Sequence, residues 1–96
     1  MDITVQELRE RLDKGEKLNI IDVREPNEYA EDNIGATLIP LGELPYRLDE
    51  IESLQDEELI VHCRSGARSA RAQQFLEENG FNNVRNLQGG MLAYRA

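Results

Sequence analysis

The chain has 96 residues, 40% of them hydrophobic and 31% charged, with 7 Gly and 3 Pro; this suits one compact domain over residues 1–96 and leaves no room for two. Its 11 basic against 19 acidic residues give a net charge of −8, which argues against nucleic acid as a partner, and apolar runs of about five residues at most exclude a membrane span or secretory core. A single cysteine, Cys63, and a single histidine, His62, leave no internal disulfide and no cysteine- or histidine-based metal cage, so no metal or cofactor is expected and the cytoplasm is the expected compartment.

Thr4 and Glu7 have the spacing of a capping box, and Ile3 and Leu8 that of a hydrophobic staple, so a first helix is expected from Val5. Val5, Leu8 and Leu12 would line its inner face, and Lys14-Gly15 would end it. Leu18–Val23 reads as a buried strand closed by Arg24-Glu25-Pro26. Asn27–Asp32 follows as a short helix and Thr37–Ile39, before Pro40, as a second strand. Leu44, Leu48 and Ile51 recur at helical spacing behind Pro45, near the start of an expected helix. Leu59–His62 is the third strand. Ser69–Asn79 carries Ala72, Phe75 and Leu76 on one face and stops at Gly80, a C-terminal cap over which Phe81 folds back. Val84–Leu87 is the fourth strand, and Asp2-Ile3 is short enough to add only a fragment of a fifth. Strands alternating with crossovers of this length must run parallel, which gives a small three-layer α/β domain, a mainly parallel four- to five-stranded sheet with helices on both faces.

Charge is unevenly spread along this pattern. Between Leu59 and Leu76 there is no acidic residue, while Arg64, Arg68 and Arg71 give the segment a charge of +3 and leave the rest at −11, from 8 basic and 19 acidic residues. A small anion is drawn to such a stretch. Ligands of open parallel sheets bind outside the carboxyl ends of the strands, and Cys63 stands at that point. Cys63-Arg64-Ser65-Gly66-Ala67-Arg68-Ser69 leaves a strand and enters a helix, so its backbone N–H groups can form an anion-binding nest around the sulfur, with the helix dipole adding to it. These surroundings favour a nucleophilic thiolate.

At these residues the chain resembles the rhodanese-like sulfurtransferases, and the run LIPLGELPYRLDEI (Leu38–Ile51) resembles the rhodanese domains appended to bacterial enzymes that adenylate ubiquitin-like sulfur carriers. The resemblance rests on IIDVREPNEY (Ile20–Tyr29), GATLIPLGEL (Gly35–Leu44), IVHCRSGARS (Ile60–Ser69) and GFNNVRNLQGGMLAY (Gly80–Tyr94), four motifs in family order over nearly the whole chain. It implies that Cys63 carries sulfur, cycling between thiolate and persulfide, and that Arg64, Ser65, Gly66, Ala67, Arg68 and Ser69 cradle the substrate. Two departures stand out. Asn33-Ile34-Gly35-Ala36 lacks the histidine that many relatives place before the Gly-Ala pair, and Tyr94 stands where the family often has Trp.

Loop length separates two chemistries. Related phosphatases place the loop arginine six positions after the cysteine; here Arg68 comes five after, enclosing a volume suited to a terminal sulfur and tight for a phosphoryl group. The expected reaction moves a sulfane sulfur from thiosulfate or another small anionic donor to cyanide, a thiol or a protein acceptor through a Cys63 persulfide. On this reading Arg64 and Arg68 orient the anion, Ser65 and Ser69 offer hydroxyls, and Arg68→Ala raises the thiosulfate KM. The competing expectation is a non-catalytic or partner-dependent module that relays sulfur within a larger sulfur-carrier assembly. His62 adjoins Cys63, but neighbouring strand residues face opposite ways, making it a poor base. Asp22 and Arg24 are expected to fix each other and the loop in preference to touching substrate, Glu25 and Glu28 to favour a helix start, Gly89-Gly90 to allow a close backbone approach or cap a turn, and Tyr46 and Arg47 to pack on a helix surface in preference to rimming the pocket.

Overall fold

The computed structural model describes residues 1–96. Helix α1, Val5–Asp13, starts where the capping box places it: the Thr4 hydroxyl accepts the Glu7 N–H at 3.1 Å. Strand β1, Ile20–Asp22, is shorter than the expected Leu18–Val23, although the Asn19 carbonyl and the Val23 N–H still bond to the backbone of Ile60 and His62; the Asn19 side chain donates to the Glu58 carbonyl. Helix α2, Pro26–Glu31, is started by a capping box between Glu25 and Glu28, and strand β2, Thr37–Leu38, follows it. Strand β3 is Leu59–His62, helix α3 Ala67–Glu78, strand β4 Val84–Asn86 and helix α4 Gly90–Tyr94.

One expected helix takes another form. Between β2 and β3 the chain makes three consecutive 3₁₀ turns, Leu41–Tyr46, Leu48–Glu50 and Glu52–Leu54. Pro45 has no N–H to give an α-helical ladder, and Arg47 and Ile51 both sit near φ −125°, outside helical backbone. The apolar spacing still serves its purpose, since Leu44 and Ile51 are buried and Leu48 packs against them.

All four strands are parallel, in the order β2-β1-β3-β4, and Ile3 adds a parallel bridge to Leu87 beyond β4. Alternation along the strands sorts the core into two halves. Ile21, Val23, Leu59, Val61 and Cys63 belong to the half that packs with Ala72 and Leu76 of α3 and with Leu44 and Ile51 of the 3₁₀ turns. Ile20 and Ile60 belong to the other half, with Leu8 of α1, Leu87 and Tyr94 of α4. Helix α3 ends as expected: Gly80 takes φ +92° and the Phe81 N–H reaches back to the Leu76 carbonyl at 3.0 Å, which buries the Phe81 ring. No helix is long and apolar enough to cross a membrane.

Candidate functional site

The carboxyl end of β3 hands Cys63 to a four-residue turn that opens α3. Gly66 takes φ +107° there, a backbone state that side chains rarely adopt, and this folds the loop over the sulfur. Cys63 Sγ accepts the N–H of Gly66 at 3.1 Å and that of Ser69 at 3.4 Å, and lies 3.3 Å from Ser69 Oγ. The residue is 1% exposed. Burial pushes the thiol pKa up, but the Ser69 hydroxyl and the N–H groups of Ser69, Gly66 and Ser65 outweigh it, and the net direction is down. The loop thus gathers N–H donors around Cys63 as its composition suggested.

Strand β4 supports this arrangement. Asn86, at the end of β4, accepts the Ser69 hydroxyl on Oδ1 at 2.6 Å and donates through Nδ2 to the Gly66 carbonyl at 3.1 Å. Asn86 therefore fixes both loop residues that hold the sulfur, a role the sequence did not show because it depends on strand order. Helix α4 closes the other side. The Met91 N–H donates to the Cys63 carbonyl at 2.9 Å and the Leu92 N–H to the Arg64 carbonyl at 3.0 Å. Gly90 makes this contact sterically feasible: at φ +56°, an added Cβ would stand 2.5 Å from the Cys63 oxygen and 2.6 Å from the Arg64 oxygen. Of the two readings of the glycine pair, close backbone approach holds at Gly90.

The arginines separate in role. Arg64 is exposed, forms no ion pair, and lines a cleft of about 410 Å³ with Arg24, Glu28, Glu31, Asp32, Arg95, Met91 and Leu92. Cys63 does not line this cleft; its carbonyl accepts the N–H of Met91, which does. Arg68 is turned to Glu28 in a two-pronged ion pair of 2.6 and 2.9 Å, which holds the Glu28 carboxyl down to about 2. Arg71, on the next turn of α3, is exposed. Ser65 and Ala67 are exposed as well, and the hydrogen bonds to the sulfur come from Gly66 and Ser69.

The neighbouring polar residues are structural. Asp22, 0% exposed, accepts Arg24 Nη2 at 2.7 Å and Nε at 3.0 Å, and Arg24 also donates to the Asp32 carbonyl at the end of α2. His62 lies in the sheet face opposite Cys63, fully buried, with Nε2 3.6 Å from Asp22; burial pushes its pKa down against the pull of Asp22. It does not reach the sulfur. Tyr46 and Arg47 do not line the cleft; Tyr46, expected to pack on a helix surface, is 85% exposed at the end of a 3₁₀ turn, and Arg47 pairs with Glu43 and Glu50.

The sign of the cysteine shift gives a pH prediction. The native thiol loses its proton at lower pH than a free cysteine, so thiolate stabilisation is present above the unfolded pKa of about 8.5 and is lost as pH falls through the native pKa. Alkylation of Cys63 by iodoacetamide is expected to rise with pH to a midpoint below that of free cysteine. In Ser69→Ala the midpoint moves up, because the hydroxyl shared between Sγ and Asn86 Oδ1 is gone; an unmoved midpoint would remove the Ser69 hydroxyl, though not its N–H, from the anion cradle.

Comparison with known proteins agrees with this geometry. The rhodanese-like domain family matches residues 4–96. A sulfurtransferase of Allochromatium vinosum is 36% identical over 94 residues, covering 97% of this chain and 86% of that protein. The "Probable adenylyltransferase/sulfurtransferase MoeZ" of Mycobacterium tuberculosis is 40% identical over 93 residues, which are 96% of this chain and 24% of that one. The crystal structure of a rhodanese-like domain protein from Staphylococcus aureus superposes with a TM-score of 0.84 at 36% identity, covering 98% of this chain and 91% of its own. With a parallel α/β sheet, a cysteine loop at the carboxyl end of β3 and matches along almost its whole length, the chain belongs to the rhodanese-like domain family, as a rhodanese domain of the sulfurtransferase type.

Proposed function

We propose that the protein transfers a sulfane sulfur through a persulfide on Cys63, with thiosulfate as a competent donor. The observation that carries the reading is the set of N–H donors from Gly66 and Ser69 converging on Sγ, which stabilises negative charge on sulfur in the thiolate and in the persulfide alike. The Cys63 thiolate attacks the outer sulfur of thiosulfate, a new S–S bond forms, the old one breaks, and its electron pair leaves with sulfite. The acceptor then attacks the terminal sulfur and returns Cys63 as thiolate; cyanide leaves as thiocyanate by this step.

Arg64 supplies the unpaired positive charge at the mouth of the site, and Arg68 and Ser69 hold the loop and its anion. No side chain needs to act as a base, because a thiolate attacks and sulfite departs without taking a proton. A reducing compartment such as the cytoplasm suits this cycle, since it keeps the working sulfur from forming disulfides. A protein acceptor is the second reading, favoured by the open cleft of about 410 Å³ beside the loop, which is larger than a thiosulfate ion needs.

Initial rates of thiocyanate formation, with thiosulfate and cyanide both varied, test the cycle. Parallel double-reciprocal lines are expected, because sulfite leaves before the acceptor binds. Intersecting lines would mean that both substrates bind together and that no persulfide stands between them.

A further inference from the structure

Three arginines line the cleft, Arg24, Arg64 and Arg95, and Glu28 on its wall holds a fourth, Arg68; three of these four are already neutralised. Arg24 pairs with Asp22, Arg68 with Glu28 and Arg95 with Asp32, while Arg64 alone has no carboxylate. The Asp22–Arg24 pair is sealed, at 0% and 6% side-chain exposure, and serves the fold. The Glu28–Arg68 pair differs in two ways. It is partly open to solvent, at 24% and 33%, and Arg68 immediately precedes Ser69, whose N–H and hydroxyl hold the sulfur.

The carboxylate sits on Arg68 as an anionic substrate would. Glu28 presents its two oxygens to the two terminal nitrogens of the guanidinium at 2.6 and 2.9 Å, the same two-pronged geometry in which a sulfonate edge of thiosulfate engages an arginine fork. Glu28 is also held in place: Oε1 accepts the Glu25 N–H at 2.9 Å as part of the α2 capping box. The competitor is therefore attached to a rigid helix start, 40 residues away in sequence, and it meets Arg68 only because β1 and β3 are neighbours in the sheet.

We propose that Glu28 is a specificity-determining residue: it occupies the anion site of Arg68, and a donor gains that arginine only by displacing it. Small anions held by Arg64 alone bind weakly, and donors that can engage both arginines are selected. The proposal rests on the sulfur-transfer reading for the identity of the donor, but its test does not require turnover.

Binding is measured by calorimetric titration of thiosulfate into Cys63→Ser protein, which cannot transfer sulfur. Adding Glu28→Gln is expected to tighten thiosulfate about threefold to tenfold, the range set by releasing one partly exposed ion pair. Glu28→Asp, which keeps the charge but shortens the reach, gives a smaller gain and serves as the readout where the Gln variant fails to fold. Glu31→Gln removes a charge from the same cleft and is expected to change binding by less than about twofold. Arg68→Ala placed on Glu28→Gln removes the gain. Unchanged or weaker binding in both Glu28 variants, an equal gain in Glu31→Gln, or a gain that survives loss of Arg68 would overturn the proposal. Failure of the transfer reading itself appears separately, as absence of sulfur on the intact Cys63 protein.

Discussion

Replacing Cys63 by alanine is expected to lower thiocyanate formation by roughly a thousandfold or more, to the rate of the uncatalysed mixture, because the bond-forming atom is lost and no second cysteine exists to replace it. The fold should persist. Cys63 packs among Val61, Ala72 and Leu76 in one half of the core, and removing one buried sulfur costs on the order of 1 kcal/mol. Cys63→Ser separates geometry from reactivity: its hydroxyl can take up the Gly66 and Ser69 N–H donors yet ionises far above neutral pH, so it too should be inactive. Retained turnover in either variant would move the chemistry away from the α3 loop.

The largest effect on stability is expected at Asp22. Its carboxylate, fully buried, accepts the backbone N–H and the guanidinium of Arg24, whose side chain is 6% exposed. Asp22→Ala leaves that guanidinium buried without its counter-charge, a change that costs about 3–5 kcal/mol, a large share of the total for a domain of this size. Asp22→Leu with Arg24→Met removes both charges and should recover part of the loss in thermal or urea unfolding. Should Asp22→Ala unfold with the same midpoint as the parent protein, the pair would not be holding the turn after β1. The double variant is informative for function as well, because Arg24 also ties the end of α2 through the Asp32 carbonyl, and α2 carries Glu28.

Local signals in the sequence located the parts of the molecule that are locally determined. Thr4 and Glu7 mark the start of α1 because capping is a matter of three residues, and Leu59–His62 reads as a strand because its buried run stands alone between polar neighbours. His62 faces away from Cys63 because neighbouring strand residues point to opposite faces of the sheet. The segment from Leu41 to Leu54 shows the limit: its apolar period is helical, yet Pro45 and the backbone at Arg47 and Ile51 divide it into 3₁₀ turns. Helix α4 has five residues and begins at a glycine pair, too little pattern to distinguish from a turn.

At the site, Cys63 and its loop were legible as a contiguous motif, and their supports were not. Asn86 reaches Ser69 and Gly66 because β4 lies beside β3. Glu28 reads as a helix-favouring carboxylate from its own neighbours, and it does serve the α2 capping box; that it also engages Arg68 follows from sheet order. The arginine-rich segment suggested several free charges. Folding places the distant carboxylate of Glu28 on Arg68 and leaves Arg64 unpaired in the cleft.

Intact mass of the reduced protein, recorded before thiosulfate, after thiosulfate, and again after cyanide, with Cys63→Ala beside it, tests the account most directly. The expected result is a gain of one sulfur atom on the parent protein, its removal by cyanide, and no gain on Cys63→Ala. A parent protein that gains no sulfur, or a gain that persists in Cys63→Ala, would contradict persulfide transfer at this loop.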